Sequence, residues 1–314
     1  MSQVVVGVGA SHTTLMNTQW DKVDHLPRAH SFRDALGEAH DAIAAAAPDL
    51  LVVIGSNHFR GLWLDMMPAF TVGVGEVMAV GEHGTPSGTQ ETDPETALAL
   101  CAYLINDGFD LAMSTRLQID HGISHAIQYL VTPSTPVVPI IVNVFAPPLP
   151  TLKRCRQLGE ALRIAIQNLP GEKRVAVIGT GGLSHRLPFP DWRVPRSDDD
   201  KFLVDSWREG RGNWEEYEPR RRALVVGARA ELNVDFDTAL LARLEAGLMA
   251  DLPDELDNDE LVRLAGNGAN EIRSWLIMAA ACGYTPGRVL AYSPMPEWLT
   301  GMAVAVLNNS PDHG

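Results

Sequence analysis

The chain has 314 residues, 46% hydrophobic and 20% charged, with 39 acidic residues against 25 Lys and Arg for a net charge of -14. That balance suits a large buried core, and the negative surplus argues against nucleic acid and anionic membranes as partners. No run of 18 apolar residues, no leader-like start in MSQVVVGVGASH and no pairing pattern among Cys101, Cys155 and Cys282 is present, so a reduced, cytoplasmic protein is expected.

Gln3 to Gly9 (QVVVGVG) reads as the first strand, and a helix is expected over about Ser31 to Ala47, closed by Pro48 and Asp49. Leu50 to Ile54, Phe70 to Val74, Leu111 to Ser114, Val137 to Val144 and Val175 to Gly179 are further strands. Pro94 to Gly108 and Thr151 to Asn168 are the helices between them. Near-continuous apolar strands alternating with helices predict an α/β fold, a central mostly parallel sheet covered on both faces. From about 191 to 253 the chain turns polar and charged, which predicts a largely helical insertion within a single domain spanning 1–314. A strong apolar helix over Asn270 to Ala281 and a closing strand over Arg288 to Tyr292 complete the reading.

Four histidines follow predicted strands: His12 in GASH, His58 in GSNH, His121 in IDHG and His185 in GTGGLSH. Ligand sites of open α/β sheets assemble at the carboxyl ends of strands, so these four can converge on one crevice. A lone histidine in such a place is ordinarily a loop residue; four together point to a site. His125 shares a face with His121 if a helix begins there, while His25, His30, His40 and His313 read as solvated and His83 as a turn residue. Histidines with one carboxylate and open positions suit non-haem Fe(II). The spacing alone leaves the carboxylate open. Glu271 opens an apolar helix where a buried acid needs a cation, with Asp235, Asp237 and Glu297 as competitors. Neither GVGASH nor GTGGLSH completes a dinucleotide or phosphate loop.

Together these fragments resemble the class III extradiol dioxygenases. The resemblance runs from about Gly7 to Trp298 and rests on Ser11-His12, Asn57-His58, Asp65 to Glu76, Ile119 to Gly122, Gly179 to His185 and Asn270 to Met278. It implies Fe(2+) held by His12, His58 and Glu271, with His185 as the base beside a bound aromatic diol and His121 as a second acid/base residue. It implies O2 and a small aromatic diol as substrates, the latter a carboxylated catechol of the dihydroxyphenylpropionate or protocatechuate kind. A homo-oligomer is expected, with a small lid subunit left open. The chain departs from the family at Asn57, where Asp is common, and at Arg186, where Gln is common. Arg186 is therefore read as the residue gripping a substrate carboxylate, with Arg60 next in line, and His125 as a second substrate contact. Two other readings remain, a zinc-dependent hydrolase and a non-catalytic binding protein like the Memo proteins.

Overall fold

The computed structural model describes residues 1–132 and 134–308; His313 lies outside them. Its nine strands are β1 (Gln3–Ala10), β2 (Leu50–Ser56), β3 (Phe70–Val80), β4 (Ser87–Thr89), β5 (Ala112–Ile119), β6 (Val137–Val142), β7 (Arg174–Thr180), β8 (Arg288–Met295) and β9 (Thr300–Asn308). They form one sheet in the order β4-β3-β6-β2-β7-β1-β9-β8, with β5 paired to β3. The central strands β6, β2, β7 and β1 are mutually parallel. β3 flanks them antiparallel on one side and β9 on the other, and β8 pairs antiparallel with β9. This is the expected α/β architecture.

Alternation along the central strands builds two cores. Val52, Ile54, Val175 and Val177 face one core with the helices Pro94–Asn106, Leu152–Gln167 and Ile272–Ala281. Leu51, Val53, Ala176 and Ile178 face the other, against the helices Pro27–Ala46 and His121–Leu130. Because both faces are covered, every residue of β2 is buried, which is why its sequence reads as an unbroken apolar run. On β1, Gly9 lets the Ile272–Ala281 helix come close. A Cβ there would lie 2.4 Å from the Trp275 ring. That close approach sets the height of Glu271, the residue just before this helix.

Some boundaries differ from expectation for physical reasons. The second helix starts at Pro27, not Ser31, since proline is favoured in a first turn, where its missing N–H costs nothing. β5 runs on to Ile119 past the expected Ser114. Its residues are largely exposed, so no apolar run marks them. The last strand, β9, was not foreseen although it is almost wholly buried. The polar stretch 191–253 holds the helices Asp198–Glu209, Trp214–Val226 and Val234–Ala246. Ser197 and Asp200 form a reciprocal cap at the first of them. Trp207 stacks on Phe59 with ring centres 4.3 Å apart, and Arg222 donates to the Thr14 and Thr18 hydroxyls at 2.7 Å each. These contacts fasten the helical segment over the carboxyl edge of the sheet. Among the described residues no helix is long and apolar enough to cross a membrane.

Candidate metal centre and its pocket

β2, β7 and β1 lie side by side and parallel, so the chain leaves all three at the same edge. His58 follows β2 by two residues, His12 follows β1 by two, and His185 ends the turn after β7. His121 opens the helix that follows β5, with Asp120 as its cap. Glu271 closes a short turn ahead of the Ile272–Ala281 helix. One Glu271 oxygen lies 3.1 Å from His12 Nε2 and 3.5 Å from His58 Nε2, and the other lies 3.9 Å from His185 Nε2. The His121 ring stacks on His58 at 3.8 Å between centres.

Each of these side chains is held from behind. His12 Nδ1 meets the Thr180 hydroxyl at 2.8 Å, and His58 Nδ1 lies 3.3 Å from Asp120, whose other oxygen accepts from the His58 amide at 2.5 Å. Both rings therefore turn Nε2 toward Glu271, the arrangement in which outer partners orient metal-binding imidazoles. Glu271 accepts from the Ser56 hydroxyl and, at 2.7 Å, from the Gly182 amide. His12 Nε2 is buried and makes no hydrogen bond, because its approach to Glu271 is out of line. A buried nitrogen without a partner beside a buried carboxylate is the donor set a divalent metal would use. Two sets of three side chains bring their donor atoms within 4.8 Å of one another among the described residues: His12, His58 and His121, and Glu82, Asp120 and His121.

The electrostatics follow from burial and charge. Burial opposes ionisation of Glu271, yet His12, and after it His58 and His185, hold its carboxyl well below the usual range. Positive charge next to this acid is therefore stabilising, as protons on the rings or as a metal ion. His185 Nδ1 donates to the Leu183 carbonyl at 2.9 Å, which leaves Nε2 as the acceptor when the ring is neutral. Burial draws the His185 pKa down, partly countered by Glu271, so the neutral ring is favoured. Glu82 is likewise buried, but His121 and Arg60 keep it ionised, and it accepts from both the His121 amide (2.9 Å) and Nδ1. Above these groups is a cleft of about 720 Å³ including its mouth, with Leu187, Phe189, Val225 and Leu299 as apolar walls.

Residues 7–303 match a family model described as the catalytic LigB subunit of aromatic ring-opening dioxygenase. The chain belongs to this family. It is an extradiol aromatic ring-opening dioxygenase, and its relatives agree. A 2,3-dihydroxyphenylpropionate/2,3-dihydroxicinnamic acid 1,2-dioxygenase of Klebsiella pneumoniae (strain 342) is 34% identical over 282 residues, 85% of this chain and 87% of that protein. The protein of the same name from Azotobacter vinelandii is 34% identical over 309 residues, covering 94% and 96%. The crystal structure of an uncharacterized Escherichia coli K12 protein shares the fold, with a TM-score of 0.50 at 14% identity, covering 96% of this chain and 99% of that one.

Within this LigB-family site, the structure brings His12, His58, His121, His185 and Glu271 into one cleft. It does not bring Arg186 there, which corrects the expectation for that residue. Its guanidinium turns outward to Glu231 at 2.9 Å and is about half exposed, because only its backbone follows the His185 turn. His125 sits behind His12, with ring centres 6.4 Å apart, and is not part of the cleft wall. Burial, then the charges of His12, His121 and Arg33, pull its pKa well down. Among the competing acids, Asp235 is exposed and Glu297 pairs with Arg28. Asp237 is buried behind the site, accepting from Ser184 N, Ser184 Oγ and Tyr292 within 2.8 Å, so it braces the His185 turn. Asn57 points away from the cleft and accepts from Gly61 N and Leu62 N, shaping the loop that carries Arg60.

Several cleft residues went unread in the sequence. Glu82 sits in GEHG, where only a turn was visible, and His83 reaches Glu218 at 2.9 Å. Arg221 and Arg222 belong to the run PRRRA, read only as polar helix. The sole available signal was placement: a basic run inside an insertion that must cover something.

Proposed function

We propose that this enzyme cleaves a carboxylated catechol beside its hydroxyl pair, using Fe(II) held by His12, His58 and Glu271. The observation that carries the reading is the buried Glu271 carboxylate facing the Nε2 atoms of His12 and His58 at 3.1 and 3.5 Å. Two imidazoles and one carboxylate leave an open face for substrate and dioxygen, the arrangement typical of non-haem Fe(II) oxygenases. When bound, Fe(II) supplies the dioxygen chemistry that no side chain performs. His121 is the rival third ligand, since its donor atom lies near those of His12 and His58. Choosing it in place of Glu271, however, would leave Glu271 buried with an uncompensated charge.

The remaining residues handle protons and position. His185 Nε2 is the acceptor for a catechol hydroxyl proton, and its Nδ1–H stays on the Leu183 carbonyl throughout. His121, fixed through Nδ1 by Glu82, is the group placed to return a proton. The apolar walls hold the ring and exclude water. Residues from His12 to Thr300 contribute to the cleft, which favours one catalytic domain.

The test combines metal analysis with a substrate screen. Anaerobic protein loaded with Fe(II) is mixed with a series of catechols and then exposed to air, and a yellow ring-opened product is expected. Glu271→Ala should lose both iron and product while staying folded, and His121→Ala should keep its iron. Full iron occupancy in Glu271→Ala, with loss in His121→Ala, would transfer the ligand role to His121.

A further inference from the structure

The cleft holds three guanidinium groups, and their surroundings differ. Arg60 has its charge met by two carboxylates: it pairs with Glu218, its Nε, though without a hydrogen bond, lies 3.5 Å from Glu82, and Nη1 donates to the Phe59 carbonyl at 3.1 Å. Its planar group also lies 4.5 Å over the Trp214 ring. Arg222 spends its Nη1 and Nη2 donors on the Thr14 and Thr18 hydroxyls. Arg221 is different. It is 6% exposed and lines the cleft, yet its Nε and Nη1 are buried and have no hydrogen-bond partner among the described residues. Its Nη2 donates to the His58 backbone carbonyl at 3.2 Å. The nearest acid, Glu218, is 3.8 Å from Nη1, beyond hydrogen-bond reach, and is already engaged by Arg60 and His83.

A buried cation with unused donors costs free energy unless something completes it. In a ligand cleft, the economical partner is an anion that arrives with the ligand. We propose that Arg221 is the residue that binds the substrate's carboxylate, and so sets the enzyme's preference for acidic over neutral catechols. The inference rests on the ring-cleavage reading above for what the rest of the substrate is. Its position also restricts the substrate. Arg221 touches the backbone of His58, whose ring faces the metal site. The carboxylate therefore sits beside the diol, as on a short side chain at the ring carbon next to a hydroxyl. Arg221 comes from the Trp214–Val226 helix, so the insertion supplies specificity.

Two measurements test this. In the first, kcat/KM is measured for 3-(2,3-dihydroxyphenyl)propionate and for the neutral 3-propylcatechol. Arg221→Gln should lower the acidic-to-neutral ratio by roughly tenfold to a hundredfold, the worth of one charge-assisted hydrogen bond. Arg221→Lys should recover part of it, because the charge returns without the planar fork. Arg186→Gln, at the surface, should leave the ratio unchanged. An unchanged ratio in Arg221→Gln, with the melting temperature and iron content of the parent, overturns the proposal. The second measurement needs no turnover. Calorimetry with 3-phenylpropionate, which has the carboxylate and lacks the diol, should show binding to the iron-loaded parent and weaker binding to Arg221→Gln. If that difference holds while no catechol is cleaved, the carboxylate site stands and the ring-cleavage reading fails. Equal binding to both proteins removes Arg221 as the anchor.

Discussion

The two sides of the cleft are built differently. On the floor, His12, His58, His185 and Glu271 stand at the ends of buried strands and ahead of a buried helix, each braced from behind by a hydrogen bond. On the roof, Glu218, Arg221 and Arg222 come from one helix of the 191–253 insertion, attached through side-chain contacts to Thr14, Thr18 and the loop after β2. The floor is tied to the sheet and cannot shift without disturbing the core. The roof can change its residues without disturbing the sheet. Chemistry common to a family belongs on the first surface, and discrimination among substrates on the second.

The sharpest way to break this comparison is at the floor. His185→Gln, which keeps the residue's size but removes its proton chemistry, should retain iron and lose roughly 10²-fold or more in kcat, the usual worth of a general acid or base. Iron analysis and steady-state rates decide it, and an iron-free variant would make His185 a ligand. A gentler perturbation moves the same ring. A Cβ at Gly268 would lie 2.1 Å from the His185 imidazole, so Gly268→Ala must push that ring aside while the fold adapts. A fall in kcat of about tenfold to a hundredfold is expected, as for a reacting group displaced by up to an ångström. Rates near those of the parent would show that the ring has slack. The smallest effect belongs to the roof. Arg222→Ala removes two hydrogen bonds to the Thr14–Thr18 helix and should cost about 1–2 kcal/mol in urea unfolding. It should raise KM more than it lowers kcat. A kcat loss as large as that of His185→Gln would erase the distinction between the surfaces.

How much of this was visible in the sequence follows the same division. The floor announces itself, since strands buried on both faces read as apolar runs and the histidines just past them mark the edge. Glu271 was different: chemistry nominated it among four acids, and only the family resemblance singled it out. Its burial depends on how closely its helix packs on Gly9, a tertiary fact without a local signature. The roof was almost illegible. The Trp214–Val226 helix carries Pro219 and mixed charges with no apolar stripe, so nothing marked Arg221 as its one buried residue. Adjacency in sequence suggested Arg186 as the cation by the site, but neighbouring residues of a turn face different ways, and its side chain found Glu231 at the surface instead. Glu82 could not be read because its partner, His121, lies 39 residues away.

The pairing of β1 with β9 has a consequence for how the protein is made. Val6 to Ala10 pair with Val304 to Asn308, and Thr300 at the start of β9 touches His185 at 3.2 Å. During synthesis β1 thus waits for the much later β9 to emerge. Contacts between such distant segments form slowly, because the intervening loop must first be closed. A ribosome-bound chain that has displayed His12, His58 and His185 still lacks Glu271 and the strand that closes the edge beside β1. On the proposed ligand set, metal uptake therefore comes only after Glu271 and β9 have joined the sheet, and not along the way.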